Sequence, residues 1–149
     1  MNHNEKAVHL FNSGYNCAQA VFCAYCDVTG IEEDIAKRLA SSFGGGMGKL
    51  REACGAVTGA FAVLGMLYGD YDVNDNQAKS NHYARIRAVA DEFKAIHGTI
   101  NCELLLKDIA DTKGSDPAPR TPEYYAVRPC ARFVNDICVI LDKYIESNK

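Results

Sequence analysis

The sequence predicts an all-α protein, a single-domain helical bundle of about five long helices plus one or two short ones. Apolar residues recur at helical spacing along nearly the whole chain, and no segment shows the alternation expected of a strand. Asn, Asp or Pro residues repeatedly precede these periodic segments, as helix-starting residues do. With 149 residues, 48% of them hydrophobic, the chain can bury a core within one domain spanning residues 1–149.

Three helices are predicted in the first part of the chain. The first runs from about Asn4 to Asn12, and Asn16 caps a second that ends at Thr29–Gly30. In the third, acidic residues fill the first turn, where they meet the positive end of the helix dipole. Its predicted inward stripe consists of Ile35, Leu39 and Phe43.

The middle of the chain predicts a loop and two helices. Residues 43–49 are rich in glycine, which is costly in a helix, and should bring the backbone close to another group. A fourth helix starts near Arg51 or Cys54 and ends near Tyr68, with small residues that allow close packing. Asn74–Asp75 caps the longest helix, which ends near His97. Its predicted inward residues are Ala78, Ile86, Val89, Ala90, Phe93 and Ile96.

The last part of the chain contains the strongest periodic signal. Asn101 caps a short turn that begins at Cys102, and residues 111–127, with three of the four prolines, predict an irregular connection. Pro129 then lies in the first turn of a final helix. The apolar stripe of that helix comprises Cys130, Phe133, Val134, Ile137, Cys138, Leu141, Tyr144 and Ile145.

Composition argues against several classes of partner. The net charge is −3 and the basic residues are scattered, whereas binding to a phosphate backbone needs a basic face, so no nucleic acid is expected. The longest apolar stretch, Ala53–Tyr68, is too short to predict membrane insertion. No apolar run follows a basic start, so a cytoplasmic location with reduced thiols is expected.

Seven cysteines make thiol chemistry the first candidate function. Four of them, Cys17, Cys54, Cys102 and Cys130, fall at predicted helix starts, where unpaired N–H groups and the helix dipole favour a thiolate. Lys49 and Arg51 should add positive field at Cys54, and Arg128 and Arg132 should do so at Cys130. Thiolates can ligate an iron–sulfur cluster or another metal, or exchange with a disulfide.

The remaining cysteines are weaker candidates. Cys23 and Cys26 form a C-x-x-C pair, but the pair lies toward the C-terminal end of its predicted helix, where the dipole disfavours a thiolate. We therefore interpret them as half-buried helix cysteines, and Cys138 as a core residue.

Glycines near the candidate thiols suggest a binding surface. The segment from Gly44 to Lys49 is similar to a phosphate-binding loop, but Phe43 stands where the first glycine is required and Leu50 replaces the Ser or Thr. A nucleotide site is therefore not expected, although an anion could dock. Since glycines leave room for a substrate or cluster, the residues predicted to bind a cofactor are Gly45, Gly46 and Gly55 together with Cys54, Cys102 and Cys130.

Five segments together resemble the C-GCAxxG-C-C family, which is described as redox-active. They are residues 14–19, 43–48, 54–59 and 102–105, and Cys130 beside Phe133–Val134. The resemblance extends from about Glu5 to Leu141 and equates the four family cysteines with Cys17, Cys54, Cys102 and Cys130. It implies redox activity, electron-transfer or transporter-associated partners and, through a related domain in haem proteins, an iron–sulfur centre held by cysteines.

We therefore expect a small helical redox protein that uses either a thiol/disulfide couple or a metal centre. Cys54, Cys102 and Cys130 would converge near the glycine segment as possible metal ligands, with Cys17 close by. One alternative is a non-catalytic binding module that partners a transporter or oxidoreductase, possibly as a homodimer through the Gly55/Gly59 face and the long helix. Another is a protein with a structural zinc site.

Overall fold

The computed structural model describes residues 1–109 and 114–149, and within those ranges it is all-α. Helices are joined by turns and by one isolated bridge between Ala53 and Asn101, with no strand in the described residues, which confirms the predicted class. The elements are α1 (His3–Asn12), α2 (Cys17–Ala24), α3 (Cys26–Thr29), α4 (Glu33–Ala40), a 3₁₀ turn (Ser41–Phe43), α5 (Gly44–Met47), α6 (Gly55–Tyr68), α7 (Asn76–His97), α8 (Cys102–Leu105), α9 (Pro122–Val127) and α10 (Cys130–Ser147).

Helix α2 lies at the centre of the bundle, packed against α1, α4 and α6. Small residues let α6 approach it closely. A Cβ on Gly59 would stand 2.9 Å from the Ala18 carbonyl oxygen and 3.1 Å from Val21 Cβ, and one on Gly55 would stand 3.1 Å from the Ala18 nitrogen. The predicted close packing of the fourth helix is therefore met within the chain. The Gly55/Gly59 face is buried against α2 within one chain, so it is not available to pack against a second copy as the sequence suggested.

The predicted helix caps form as expected. Asn16, Asp75 and Asn101 each accept a hydrogen bond from a backbone N–H in the first turn of the helix that follows. Gly98 ends α7 in the left-handed conformation, and Pro129 stands immediately before α10. These local signals predicted the starts of α2, α7, α8 and α10 to within one residue.

The predicted second helix is divided into α2 and α3 at Tyr25. That residue leaves the helical conformation (φ −105°, ψ 16°), and its ring is buried. Its hydroxyl oxygen lies 2.7 Å from Asp142 Oδ1 and 3.0 Å from the Cys138 carbonyl oxygen, and both are acceptors within reach of its O–H. Partners on α10, distant in sequence, thus stabilise a break that no local signal predicts.

Two predicted inward stripes are partly wrong. On α4, Ile35 and Leu39 are 46% and 57% exposed, whereas Ala36 and Ala40 form the buried face. On α7, Val89, Ala90 and Phe93 are buried as predicted, but Ile96 is 59% exposed. Helix α4 packs against α2, and methyl-sized side chains allow two backbones to approach more closely than Ile or Leu would.

The predicted irregular connection also needs correction. Residues 111–113 of that connection lie outside the described residues, but α9 occupies its C-terminal end. Thr121 caps α9 by accepting from the Tyr124 N–H, and Pro122 takes the first helical position. The Thr121–Pro122–Glu123 sequence is typical of a helix start. From sequence alone, the three prolines of this segment instead indicated irregular structure.

Helix α10 confirms the strongest periodic signal in the sequence. Its predicted stripe is buried from Cys130 to Leu141, and Tyr144 and Ile145 pack against the core. Within the two described ranges, no helix has both the length and the apolar character needed to cross a bilayer.

Candidate functional site

The four cysteines singled out in the sequence line one small cavity of about 50 Å³. Three of them are the first residues of helices: Cys17 of α2, Cys102 of α8 and Cys130 of α10. Cys54 immediately precedes α6. The three glycines predicted to leave room for a ligand, Gly45, Gly46 and Gly55, line the same cavity.

Short backbone hydrogen bonds hold Cys54 beside Cys102. The Cys54 N–H donates to the Ile100 carbonyl at 2.7 Å, and the Cys102 N–H donates to the Glu52 carbonyl at 2.6 Å. These bonds flank the bridge between Ala53 and Asn101. The starts of α6 and α8 are therefore fixed against each other.

The glycine segment is a left-handed turn rather than an open loop. Gly45 (φ 66°, ψ 26°) and Gly46 (φ 71°, ψ 47°) are followed by three more residues with positive φ: Met47, Gly48 and Lys49. Left-handed turns are unfavourable for residues with a Cβ, which explains the glycines. A Cβ on Gly46 would meet Cys102 Cβ at 2.6 Å and Arg51 Cα at 2.8 Å, so the turn packs directly against the cysteine site.

Cys17 reaches the cavity because α2 and α6 are close at Gly55. A Cβ on that glycine would lie 3.2 Å from Cys17 Cβ and 3.0 Å from the Phe43 carbonyl oxygen. Only a residue without a side chain leaves space there. Gly55 thus allows the start of α2 to lie against the start of α6.

The pKa of three of the four thiols is raised, contrary to the expectation that helix starts favour a thiolate at all four. It raises the pKa of Cys54 to about 12, although the Ala56 and Val57 N–H groups act in the opposite direction. Burial also raises the pKa of Cys102. The pKa of Cys17 is raised well above its ordinary value, first by its hydrogen bond to Cys130 and then by burial. Desolvation therefore outweighs the helix dipole at Cys54 and Cys102.

Cys130 is the exception. Its pKa is lowered, mainly because the Cys17 thiol donates a hydrogen bond to its sulfur, and further because Arg128 and Arg120 carry positive charge nearby. Arg132, the other predicted neighbour, is exposed and contributes no cause of this shift. Among the four cysteines of the cavity, Cys130 is therefore the one with a lowered pKa.

Arg51 acts on a different cysteine from the one predicted. Its Nη1 lies 3.4 Å from Cys102 Sγ, and it lowers the pKa of Cys102 against the larger effect of burial. Neither Lys49 nor Arg51 is among the causes of the shift at Cys54. The left-handed turn directs Arg51 (φ 60°) toward α8.

Arg120 was missed by the sequence analysis. Its guanidinium donates to the Phe11 carbonyl and to the Tyr15 carbonyl, each at 3.0 Å, and stacks 4.6 Å from the Phe11 ring centre. Tyr124 lies on the same guanidinium and also lines the cavity. The one available signal was an arginine shortly before two tyrosines, a spacing compatible with cation–π contact.

The other cysteines lie outside the cavity. Cys138 is fully buried in α10, as predicted, and burial raises its pKa to about 12. Cys23 is buried in α2 and Cys26 is half-buried at the start of α3; the pKa of each is raised, chiefly by burial. All seven cysteines are free thiols.

The four sulfurs do not form a metal-binding group as they are placed. In residues 1–109 and 114–149, no three or more His, Cys, Asp or Glu side chains are arranged to hold a metal ion. The Cys102 sulfur already accepts a hydrogen bond from Arg51 Nη1 at 3.4 Å. The predicted Cys54, Cys102 and Cys130 ligand set is not formed in this arrangement, and we derive no step through a metal.

Comparison with known protein families gives one match. A family model described as "Putative redox-active protein (C_GCAxxG_C_C)" matches residues 15–144, which includes every residue that lines the cysteine cavity. Searches of curated proteins and of solved structures gave no significant match.

Proposed function

Since this chain belongs to the C-GCAxxG-C-C family, we propose that it is a thiol redox protein whose Cys17 and Cys130 form a dithiol/disulfide couple. The observation that supports this function most directly is that Cys17 and Cys130, far apart in the sequence, line the same cavity of about 50 Å³ and each shifts the pKa of the other. Two thiols that line one small cavity are candidates for a disulfide, which needs their sulfurs to come within about 2 Å of each other.

Cys130 is the attacking thiol in this scheme. The thiolate rather than the thiol is the nucleophile, and Cys130 is the member of the cluster with a lowered pKa. It stands at the start of α10, where the dipole adds to the charges of Arg128 and Arg120. Its side chain keeps a small exposed fraction, 6%, so reaction requires a substrate sulfur to enter the cavity.

Cys17 is the resolving thiol. Its pKa is raised mainly by the hydrogen bond that it donates to the Cys130 sulfur. When Cys130 forms a mixed disulfide, the negative charge on that sulfur disappears and this cause of the raised pKa is removed. Cys17 then loses its proton more easily and can attack Cys130.

The exchange is balanced as two substitutions at sulfur. The Cys130 thiolate attacks a substrate disulfide R–S–S–R, forming a Cys130–S–S–R bond and releasing one thiolate RS⁻. The Cys17 thiolate attacks the Cys130 sulfur, forms the Cys17–Cys130 disulfide and releases the second RS⁻. Two electrons pass from the protein dithiol to the substrate, and protonation yields two molecules of RSH.

Cys54 and Cys102 have a supporting role in this scheme. Burial keeps both protonated, and a negative charge on either would raise the cost of ionising Cys17. Two neutral thiols therefore leave Cys130 as the cysteine of the cavity with the lowest cost of ionisation. The scheme suits a reducing compartment such as the cytosol, with an electron-transfer partner that restores the dithiol.

Alkylation kinetics test the assignment. Reduced protein is treated with iodoacetamide over a range of pH, and the modified cysteine is identified by mass spectrometry. We expect Cys130 to react with an apparent pKa below that of a free thiol, and mild oxidation to give a Cys17–Cys130 disulfide. Cys130→Ser should remove both signals, whereas Cys26→Ser, a matched change outside the cavity, should keep them.

Two results would contradict the scheme. One is a cysteine other than Cys130 reacting first at neutral pH. The other is stoichiometric iron or zinc, with protected cysteines, in protein purified without oxygen; absorption spectra and metal and sulfide analysis measure this directly.

A further inference from the structure

A broad basic cleft of about 470 Å³ lies beside the cysteine cavity. Among the described residues that line it, four carry positive charge and none carries negative charge, in a chain whose net charge is −3. The cationic residues are Lys49, Arg51, Arg120 and Arg128. Such a concentration of one sign in a concave surface attracts anions.

The cleft and the cavity share a wall. Arg51, Arg120, Arg128 and Tyr124 line both, and so do Asn16 and Gly45. The shared wall contains the two arginines that stabilise the Cys130 thiolate, Arg120 and Arg128. A molecule held in the cleft by its anionic groups would therefore lie against the entrance to the thiol site.

Arg120 is held rigidly without loss of its charge. Its nitrogens donate to two backbone carbonyls and to the Tyr125 hydroxyl, and its flat face stacks on aromatic rings. Among the described residues these partners are neutral, so the positive charge stays available to a ligand. A planar guanidinium fixed in this way is suited to carboxylate recognition.

We infer that this cleft is the substrate site of the thiol centre, and that its substrate is a small disulfide carrying carboxylate groups, a conclusion that rests on the function proposed above. The volume falls within the range of sites for small molecules. In the exchange, the sulfur that leaves departs as an anion, RS⁻, beside Arg120 and Arg128. The same positive charges thus attract the substrate and stabilise the leaving group.

Two disulfide probes, one anionic and one neutral, test the inference on the full-length reduced protein. Dithiobis(nitrobenzoate) has a carboxylate on each ring, whereas dithiodipyridine is neutral, and both release a coloured thiol. Each rate is divided by that of the same probe with mercaptoethanol. We expect the normalised rate of the anionic probe to exceed that of the neutral probe by at least about fivefold, and the excess to shrink as salt rises from about 0.05 to 0.5 M.

Charge-removing variants locate the effect. Lys49→Gln and Arg120→Gln should lower the anionic-to-neutral ratio, while Arg132→Gln, an exposed arginine next to the same helix start but outside the cleft, should leave it unchanged. Circular dichroism checks that each variant is folded. If Arg120→Gln does not fold, Lys49→Gln alone tests the role of the cleft. Mass spectrometry of protein treated with less than one equivalent of probe identifies the cysteine that reacts first.

The outcomes separate the two proposals. If Cys130 reacts first but the ratio is about one, or is the same in Lys49→Gln as in the unmodified protein, the anionic substrate site is wrong and the thiol function stands. If Cys130 is not the thiol that reacts first, both proposals are overturned.

Discussion

Replacing Gly46 with alanine should destabilise the protein strongly. Gly46 adopts φ 71°, and its new Cβ would stand 2.6 Å from Cys102 Cβ, 2.8 Å from Arg51 Cα and 2.9 Å from the Glu52 nitrogen. The left-handed conformation costs a residue with a Cβ about 1–2 kcal/mol. Overpacking against backbone atoms that cannot rotate away adds about 1–3 kcal/mol, so the free energy of unfolding should fall by about 2–5 kcal/mol.

Gly48→Ala is the matched control for this change. Gly48 belongs to the same left-handed turn (φ 61°), but the nearest atom to its Cβ would be the Ser42 carbonyl oxygen at 3.9 Å, an ordinary contact. The conformational cost and the reduced freedom of the unfolded chain are therefore nearly equal in the two variants. Their difference, about 1–3 kcal/mol, isolates the contact with Cys102, Arg51 and Glu52.

Urea unfolding followed by circular dichroism measures both variants. Midpoint and slope together give the free energy of unfolding, and an unchanged slope shows that the two variants unfold to comparable states. If Gly46→Ala and Gly48→Ala lost the same stability, the close packing of the turn on the cysteine site would be refuted.

Two further predictions concern the core. Gly59→Ala should lower the free energy of unfolding by about 1–3 kcal/mol, because its Cβ would lie 2.9 Å from the Ala18 carbonyl oxygen. On the same helix, a Cβ at Gly65 would meet nothing within 4 Å, so Gly65→Ala should be neutral or stabilising by up to about 1 kcal/mol. Thermal melts that rank the two variants in the reverse order would contradict the α2–α6 packing. Burial raises the pKa of Cys138 to about 12, whereas the unfolded-state pKa is near 9. The stability that the protonated Cys138 thiol contributes is therefore complete below about pH 9 and is lost as pH rises toward 12, by at most about 4 kcal/mol. Cys138→Ala should therefore lose less stability than the unmodified protein between about pH 9 and 10.5 in urea titrations, and equal losses would show that this thiol does not ionise on unfolding.

Local signals predicted most helices because they act within a few residues. The caps at Asn16, Asp75 and Asn101 satisfy backbone N–H groups of the next turn, so their effect does not depend on the rest of the fold. The stripe of α10 is equally local, since its period alone defines one face. By contrast, the break at Tyr25 depends on Asp142, which only the folded chain brings near.

Periodicity failed where two faces of a helix were both plausible. In α4, Ile35 and Leu39 repeat at helical spacing, but so do Ala36 and Ala40, one residue later. Hydrophobicity favours the first pair, whereas close approach to α2 requires the second. The choice depends on the distance between helices, which the sequence of one helix does not contain.

The sequence indicated the four cysteines that line the cavity but not the direction of their pKa shifts. Each stands at a helix start, and this placement singled out the residues that line the cavity. The dipole argument omitted burial, which raises the pKa of Cys54 and Cys102. It also omitted Arg120, which comes from the proline-containing connection and reaches the site only through tertiary contacts with α1.

The lowered pKa of Cys130 follows from its neighbours in the cavity rather than from its own helix alone. Two thiolates close together in a buried space would repel each other, so ionising one thiol raises the cost of ionising its neighbours. Cys130 has both advantages that decide this competition, a hydrogen bond from Cys17 and the positive charges of two arginines. Removing the charge of Arg120 should therefore raise the pKa of Cys130 and reduce its reactivity even toward a neutral disulfide. Lys49 lines the cleft but not the cysteine cavity, so removing its charge should slow anionic disulfides more than neutral ones.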